Sequence, residues 1–173
     1  MNVLELFKNI TTFVFDVDGV LTDGNLILLP DGVMARRMNT KDGYALQLAI
    51  KKGYSILVIS GGNSPEVMNR LNLLGIEHVF MQVTNKLEVL ENYMLQHRVA
   101  PQQILFMGDD IPDLEVLKHA GLAACPADAV NEVKEIAHYI SNFKGGEGCA
   151  RDVIEKTMKL RGHWNEDVTV RSQ

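Results

Sequence analysis

Two carboxylates suited to chemistry stand at the end of an apolar run near the start of the chain. Residues 12–15 read Thr-Phe-Val-Phe, and Asp16 and Asp18 follow, just before Gly19. A continuous apolar run of this kind predicts a strand that is buried on both faces of a sheet. Because unpaired carboxylates are costly to bury, both should lie at the carboxyl end of that strand, where α/β sheets bind ligands. Gly19 permits a bend that turns both toward one ligand.

The other core strands are also followed by polar residues. These are Ser60 and Gly61 after a strand at 54–59, Lys86 after a strand at 77–82, and Asp109, Asp110 and Asp113 after a strand at 103–107. The carboxyl ends of parallel strands meet at one edge, so the groups should converge. Converging carboxylates need a cation, and ligands that are all oxygen favour Mg²⁺. The hydroxyl, the lysine and backbone amides suit phosphate oxygens, which predicts a phosphoryl-transfer site.

The elements that must position these groups alternate in type along the chain. The predicted strands are 11–16, 54–59, 77–82, 103–107, 122–125 and an edge-like strand at 138–141. The predicted helices are 2–9, 42–52 with Thr40 or Asp42 as its cap, 65–74, 86–98, a helix that ends at His119, 129–137 and 149–160. This alternation predicts right-handed crossovers and a parallel sheet. We expect one α/β domain over residues 1–173, with a Rossmann-like, doubly wound sheet.

One segment interrupts the alternation. Residues about 25–38 form two extended runs around Pro30-Asp31-Gly32, a turn in which proline presets φ and glycine takes a positive φ. The first run is apolar on both faces, which suggests that one face packs on another subunit. The intervals from Asp18 to Ser60 and from Ser60 to Lys86 are too short for a cap domain. Since active sites usually restrict water, a second subunit is expected to supply the lid.

Composition narrows the class of protein. The 173 residues carry a net charge of −5, which argues against nucleic-acid binding because such surfaces are normally basic. Hydrophobic content of 46% and charged content of 23% are ordinary for a globular domain. No apolar stretch reaches the roughly 18 residues of a membrane span. Cys125 and Cys149 have no metal or redox spacing and suit a reducing cytosol. We therefore expect a cytoplasmic protein that binds neither nucleic acid nor membrane.

The order of the polar groups resembles the four motifs of the haloacid dehalogenase superfamily. Asp16-Val17-Asp18-Gly19 is similar to the first motif, Ser60-Gly61 to the second, Lys86 to the third, and Gly108–Asp113 to the fourth. Four motifs in order, each after the expected strand, are far more specific than any one of them. An aspartate at the second position of the first motif is typical of the phosphatases and mutases of the superfamily.

The resemblance implies a role for each motif residue. Asp16 would be the nucleophile that forms an aspartyl-phosphate, and Asp18 the acid that protonates the leaving alkoxide and later activates water. Mg²⁺ would be held by Asp16, Asp109 and the backbone carbonyl of Asp18. Asp110 and Asp113 would support the metal and its waters. Ser60, Gly61 and Lys86 would bind phosphate, with Lys86 also counted among the catalytic residues.

Further segments resemble one capless family of the superfamily, the 3-deoxy-D-manno-octulosonate 8-phosphate phosphatases and their nine-carbon, sialic-acid-type relatives. These segments are Thr22-Asp23-Gly24, the hairpin, Lys41-Asp42-Gly43, and the glycine-rich stretch at about 144–151 that ends in Arg151. The resemblance implies a homotetramer, a glycine-rich segment that reaches a neighbouring crevice, and substrate contacts from Asp42, Gly62 and Arg151. Many members carry a long polar residue at the position of Gly62, so this chain departs from the family at a substrate contact.

Two alternatives remain open from the sequence. Asp110 is as well suited to capping the following helix, with Pro112 in its first turn, as to contacting the metal. A receiver-like signalling module would also combine aspartates, a hydroxyl and a lysine on a doubly wound sheet. Receivers place the phosphorylated aspartate after the third strand, where this chain has Met81-Gln82 and no acid.

Overall fold

A six-stranded parallel sheet lies at the centre of the computed structural model, which describes residues 2–171 and 173. The strands are β1 (Thr12–Phe15), β2 (Ile27–Leu28), β3 (Met34–Ala35), β4 (Ser55–Ile59), β5 (His78–Phe80), β6 (Ile104–Met107), β7 (Leu122–Cys125) and β8 (Tyr139–Ile140). The order across the sheet is β5-β4-β1-β6-β7-β8, and every pair is parallel. The strand that carries the two aspartates is therefore central, between β4 and β6.

Helices cover both faces of this sheet. They are α1 (Val3–Asn9), α2 (Thr40–Lys51), α3 (Pro65–Leu73), α4 (Lys86–His97), α5 (Leu114–His119), α6 (Asn131–Ile136) and α7 (Cys149–Leu160). Successive residues of β1 point to opposite faces, so Phe13 and Phe15 pack in the core beneath α1, α2, α3 and α7. Val14 packs in the second core, beneath α4, α5 and α6. The predicted doubly wound α/β fold is confirmed.

The start of α2 differs from the prediction. Asn39, rather than Thr40 or Asp42, is the N-cap, and its side chain accepts a hydrogen bond from the Lys41 N–H at 2.8 Å. All three residue types cap helices well, so local sequence does not choose among them. Asp42 lies within the first turn of α2, and its buried carboxylate is used for another contact.

The predicted hairpin forms, but its ladder is short. β2 and β3 pair antiparallel over two residues each, where two longer strands within 25–38 were expected. Gly32 has a φ of +77° as predicted. We call residues 25–38 the flap. It projects from the sheet and is largely exposed, so little packing supports a longer ladder, and an antiparallel bridge from Thr22 to Met38 closes its base.

No helix among the described residues has the length and hydropathy needed to cross a membrane. Between the first and third motifs, the described chain contains the flap and the elements of the sheet layer, and it contains no separate cap domain.

Candidate active site

The chain bends sharply directly after β1 and so brings the first motif to the edge of the sheet. Gly19 has a φ of +87°, and a Cβ there would lie 1.9 Å from a carboxylate oxygen of Asp109. Only glycine fits both the conformation and the space. The buried Thr22 hydroxyl accepts hydrogen bonds from the Gly19 and Gly24 N–H groups, at 3.3 and 3.2 Å, and so stabilises the bend.

The carboxyl ends of the central strands surround a crevice of about 300 Å³. It is lined by nine of the predicted site residues: Asp16, Asp18, Ser60, Gly61, Gly62, Lys86, Asp109, Asp110 and Asp113. Val83, Thr84, Gly24 and Pro112 complete the lining. Residues almost 100 positions apart in sequence thus face one small volume, as the topology of a parallel sheet requires. Asp42 and Arg151 do not line it.

Lys86 joins two acids of different motifs at the base of the crevice. Its Nζ lies 2.6 Å from Asp113 Oδ1 and 3.0 Å from Asp16 Oδ1, and all three side chains are buried or nearly so. Burial alone would lower the pKa of Lys86, but the charges of Asp16 and Asp113 outweigh it and the pKa is raised. The lysine is therefore an ammonium ion that holds the Asp16 carboxylate in place. Asp113 Oδ2 in turn accepts the Asp109 N–H at 3.0 Å.

The acids of the crevice exceed the positive charge available to them. Asp16, Asp109 and Asp113 each offer a carboxylate oxygen, and these three oxygens lie within 4.8 Å of one another. Burial, reinforced by Asp113, raises the pKa of Asp16 to about 6, and burial, reinforced by Asp16, raises that of Asp109 to about 7. Asp109 Oδ1 is buried without a hydrogen-bond partner among the described residues. An unpartnered buried oxygen beside two further carboxylates fits a hard divalent cation such as Mg²⁺.

Asp18 faces a different partner, which the sequence did not reveal. Arg36 of the flap donates from Nε to Asp18 Oδ1 at 2.6 Å and from Nη2 to Asp18 Oδ2 at 3.2 Å. The Arg36 side chain is only 6% exposed, whereas that of Asp18 is 34% exposed toward the crevice. The one sequence signal for this contact is an adjacent pair of arginines, Arg36-Arg37, at the end of an otherwise apolar strand.

The second motif forms the wall next to Asp18. Ser60 is buried, and its Oγ accepts the Gly62 N–H at 3.1 Å while facing the crevice. Gly61 and Gly62 expose backbone at the same wall. On the opposite side, Asp110 Oδ1 accepts the Ile111 N–H at 2.8 Å and caps the 3₁₀ turn before α5. Asp110 therefore acts as a cap in the structure, as the capping alternative predicts. A direct metal contact from Asp110 stays a prediction.

Asp42 of α2 and Arg151 of α7 meet where the two helices pack together, outside the crevice lining. Asp42 Oδ1 accepts the Arg151 N–H in the first turn of α7 at 2.8 Å. The Arg151 guanidinium lies 5.6 Å from the Tyr44 ring and 5.5 Å from the Trp164 ring, and its Nε donates to Glu155 at 3.1 Å. Within one chain, neither residue is placed to touch a ligand bound near Asp16. Substrate contacts from this pair stay predictions.

The glycine-rich segment packs against its own chain. The Gly146 N–H donates to the Val20 carbonyl at 2.9 Å, and a Cβ at Gly145 would lie 1.9 Å from the Gly19 carbonyl oxygen. These glycines permit close backbone contact with the bend that carries the first motif. The segment therefore supports the crevice from behind, and contact with a neighbouring subunit's crevice stays a prediction.

The doubly wound sheet with this acidic edge defines a haloacid dehalogenase-like hydrolase, and residues 74–151 match the family model of that description. Over 165 residues the chain is 30% identical to the 3-deoxy-D-manno-octulosonate 8-phosphate phosphatase of Salmonella typhi, covering 95% of this chain and 88% of the relative. Within the class, the chain therefore belongs to the family of 3-deoxy-D-manno-octulosonate 8-phosphate phosphatases, and it is a phosphatase.

Solved structures agree with this assignment. A probable YrbI family phosphatase from Pseudomonas syringae is 38% identical with a TM-score of 0.90, covering 93% of this chain and 92% of that one. The 3-deoxy-D-manno-octulosonate 8-phosphate phosphatase of Moraxella catarrhalis is 29% identical with a TM-score of 0.89 over 92% of each chain. The Moraxella protein was solved in complex with a magnesium ion, a phosphate ion and a KDO molecule.

Proposed function

We propose that the protein is a Mg²⁺-dependent phosphomonoesterase that hydrolyses a sugar-acid phosphate, 3-deoxy-D-manno-octulosonate 8-phosphate, through an aspartyl-phosphate on Asp16. One observation carries the proposal. Asp16 is held by Lys86 at 3.0 Å beside the unpartnered Asp109 oxygen, in the same crevice as the hydroxyl of Ser60. A fixed carboxylate nucleophile, a metal-binding acid and phosphate donors thus surround one volume.

The residues divide the work of binding. Ser60, the backbone at Gly61 and the ammonium of Lys86 bind phosphate oxygens as charged or neutral donors. Asp16, Asp109 and the backbone carbonyl of Asp18 would hold Mg²⁺, which would supply positive charge that offsets the phosphate and the acids. Asp113 fixes both Lys86 and the backbone at Asp109, and Asp110 supports the loop next to them.

The two chemical steps use Asp16 and Asp18 in turn. An Asp16 oxygen forms a bond to phosphorus while the bond from phosphorus to the sugar oxygen breaks, and the leaving oxygen takes a proton from the Asp18 carboxyl. The Asp18 carboxylate then takes a proton from water, the water oxygen forms a bond to phosphorus, and the bond from phosphorus to the Asp16 oxygen breaks. This step releases inorganic phosphate and restores both aspartates.

The choice of substrate is supported by the family and not by any contact in this chain. The relatives that cover most of the chain are named for 3-deoxy-D-manno-octulosonate 8-phosphate, and one was solved with KDO. Initial rates on a panel of eight- and nine-carbon keto-acid phosphates test the choice. The highest kcat/KM is expected for the eight-carbon substrate. A preference for a nine-carbon acid would instead support the sialic-acid-type alternative.

The mechanism is tested with Asp16→Asn and with metal removal. The variant keeps the size of the side chain, so we expect a folded protein whose phosphate release falls by at least about 10³-fold. EDTA should abolish the wild-type activity, and added Mg²⁺ should restore it. Asp31→Asn at the exposed flap turn makes the same chemical change and should keep wild-type rates. Full activity of Asp16→Asn would contradict the mechanism. Stable phosphorylation of the wild-type protein without turnover would instead favour the receiver-like alternative.

We also propose that the active form is a cytoplasmic homotetramer in which a neighbouring copy covers the flap. The support is the exposure of apolar side chains beside an open crevice, since Ile27, Leu28 and Met34 are each about half or more exposed. Exposed apolar surface of this kind is typical of interaction sites.

A further inference from the structure

One charged side chain of the flap, Arg36, contacts Asp18, the proposed acid and base of the site. Arg36 follows β3 and lies 18 residues from Asp18 in sequence. Its side chain is nevertheless only 6% exposed. A buried arginine at the end of an exposed hairpin needs a partner, because an unpaired buried charge is costly. The partner that the structure gives it is the carboxylate of Asp18.

Each of the three guanidinium nitrogens of Arg36 donates a hydrogen bond. Nε and Nη2 grip the two oxygens of Asp18, and Nη1 donates to the Met34 carbonyl of the flap at 3.0 Å. A two-point grip of this type fixes the plane of a carboxylate as well as its position, which a single lysine ammonium cannot do. Each Asp18 oxygen keeps a further lone pair, and the side chain remains one-third open to the crevice.

Gly62 leaves the room that this arrangement needs. A Cβ at position 62 would lie 3.0 Å from Asp18 Oδ2 and 3.2 Å from Arg36 Nη2. Both distances are shorter than ordinary van der Waals contact, so even alanine would press on the ion pair. The absence of a side chain after the second motif and the presence of an arginine on the flap are thus two parts of one arrangement.

We propose that Arg36 is a positioning residue that orients the Asp18 side chain, whose carboxyl gives its proton to the leaving oxygen of the substrate, and that the absence of a side chain at Gly62 leaves room for this pair. The inference rests on the proposed function, because it assigns a partner to the acid of that mechanism. It also links the flap to the catalytic unit through this one residue, since the Arg36 backbone belongs to the flap while its side chain contacts Asp18.

The role predicts a dependence on the leaving group. An alkoxide is a poor leaving group and needs the proton that Asp18 supplies, whereas p-nitrophenolate leaves readily without one. Loss of Arg36 should therefore slow the hydrolysis of the sugar-acid phosphate far more than the hydrolysis of p-nitrophenyl phosphate. Asp18 protonates the leaving oxygen in the same step as the attack by Asp16, so the loss should appear in kcat/KM, which reports that step. The later hydrolysis of the aspartyl-phosphate, in which Asp18 acts as a base on both substrates alike, does not enter kcat/KM.

The experiment compares Arg36→Ala with Arg37→Ala on both substrates. Arg37 is the matched control, because it is the next residue of the same flap and is also ion-paired, but to Asp23 and with a side chain 75% exposed. For Arg36→Ala we expect kcat/KM on the sugar-acid phosphate to fall by about tenfold or more, and kcat/KM on p-nitrophenyl phosphate by less than about threefold. Arg37→Ala should stay within about twofold of wild type on both. Guanidinium below denaturing concentrations should restore part of the alkyl-phosphate rate only to Arg36→Ala.

Gly62→Ala provides a second and independent variant. It keeps Arg36 but disturbs the pair, so it should reproduce the same leaving-group pattern more weakly. In the Arg36→Ala background its effect should largely disappear, because two changes that act through one contact are not additive. Circular dichroism and melting temperature verify that each variant is folded.

The outcomes separate this inference from the proposed function. If the wild type is active and depends on Asp16, the proposed function stands whatever Arg36 does. Equal losses of kcat/KM by Arg36→Ala on both substrates, no loss beyond that of Arg37→Ala, or a change in KM alone would each overturn the positioning role. A wild type inactive on both substrates would overturn the proposed function, and the inference with it.

Discussion

At the scale of single residues, Lys86 decides whether the crevice can hold its acids. Its ammonium lies within 3.0 Å of both Asp16 and Asp113, and two of the acids in the crevice already have raised pKa values with the lysine present. The positive charge of Lys86 therefore offsets part of the repulsion among the carboxylates of Asp16, Asp109 and Asp113. It also holds Asp16, the proposed nucleophile, in one position.

Replacing this lysine should damage both stability and activity. Lys86→Met keeps the chain length but leaves Asp16 and Asp113 without their partner, and breaking a buried pair costs about 3 kcal/mol. We expect the free energy of unfolding at neutral pH to fall by about that amount, measured by urea denaturation. Phosphate release should fall by at least about a hundredfold, because an ammonium that binds the phosphate is also lost.

The control for this change is Lys118→Met on α5. Lys118 pairs with Glu115 on the surface, three residues away, and both side chains are exposed. The same substitution there should leave the urea midpoint and the rate unchanged. A Lys86→Met protein as stable and as active as Lys118→Met would contradict the view that the crevice needs an internal cation.

At the scale of elements, the contact between α2 and α7 fixes the glycine-rich segment that supports the first motif. Asp42 of α2 accepts the N–H of Arg151, the third residue of α7, and its second oxygen is buried without a partner among the described residues. Burial raises the pKa of Asp42 to about 6. The folded chain thus keeps this proton to a higher pH than the unfolded chain.

This shift predicts a pH dependence of stability with a definite sign. Between about pH 4 and pH 6 the folded state binds more protons at Asp42, so the free energy of unfolding falls as the pH rises through that window. Asp42→Asn keeps the acceptor oxygen and removes the titration. Its stability relative to wild type should rise from near zero below pH 4 to about 2–3 kcal/mol above pH 6. Urea denaturation across this range measures the difference.

Taking the difference between variant and wild type removes the contributions of the other buried acids, which act in the same direction. Asp31→Asn at the exposed flap turn is the control and should show no trend with pH. A flat difference for Asp42→Asn as well would mean that the buried carboxylate carries no linked proton.

The elements that local pattern determines were predictable from the sequence. Apolar runs and cap residues placed β1, β4 and β6, and the parallel topology then required their polar ends to converge. Ser64 with Pro65 at the start of α3 follows the prediction as well. Local pattern could not select Asn39 over its neighbours as the cap of α2, because three good cap residues stand close together.

Contacts that depend on the direction of a side chain across a long loop were not predictable. The Arg36 side chain reaches Asp18 only because the flap closes at Thr22 and Met38 and because Gly62 leaves space. None of these conditions is local to Arg36 in sequence. The same holds for Asp42 and Arg151, which meet across 109 positions because α2 and α7 pack side by side.

At the scale of the whole molecule, the flap joins the crevice to an exposed apolar surface. The flap carries a buried charge on one side and exposed apolar side chains on the other, with Leu28 76% exposed and Ile27 52% exposed. A cluster of this kind on a chain without a cap domain is explained if another copy covers it. Assembly and activity would then be linked through the same segment.

Leu28→Glu tests that link. The charge would be buried against the neighbouring copy but exposed in the monomer, so we expect sedimentation velocity to show smaller species than the tetramer proposed for the wild type. Phosphate release should fall with the loss of assembly, because the flap that positions Arg36 loses its support. Leu95→Glu is the matched control, since Leu95 is 80% exposed near the C-terminal end of α4, nine residues from Lys86 and outside the crevice lining. A wild-type protein that is monomeric and fully active would refute the covered flap, and identical behaviour of the two variants would place the interface elsewhere.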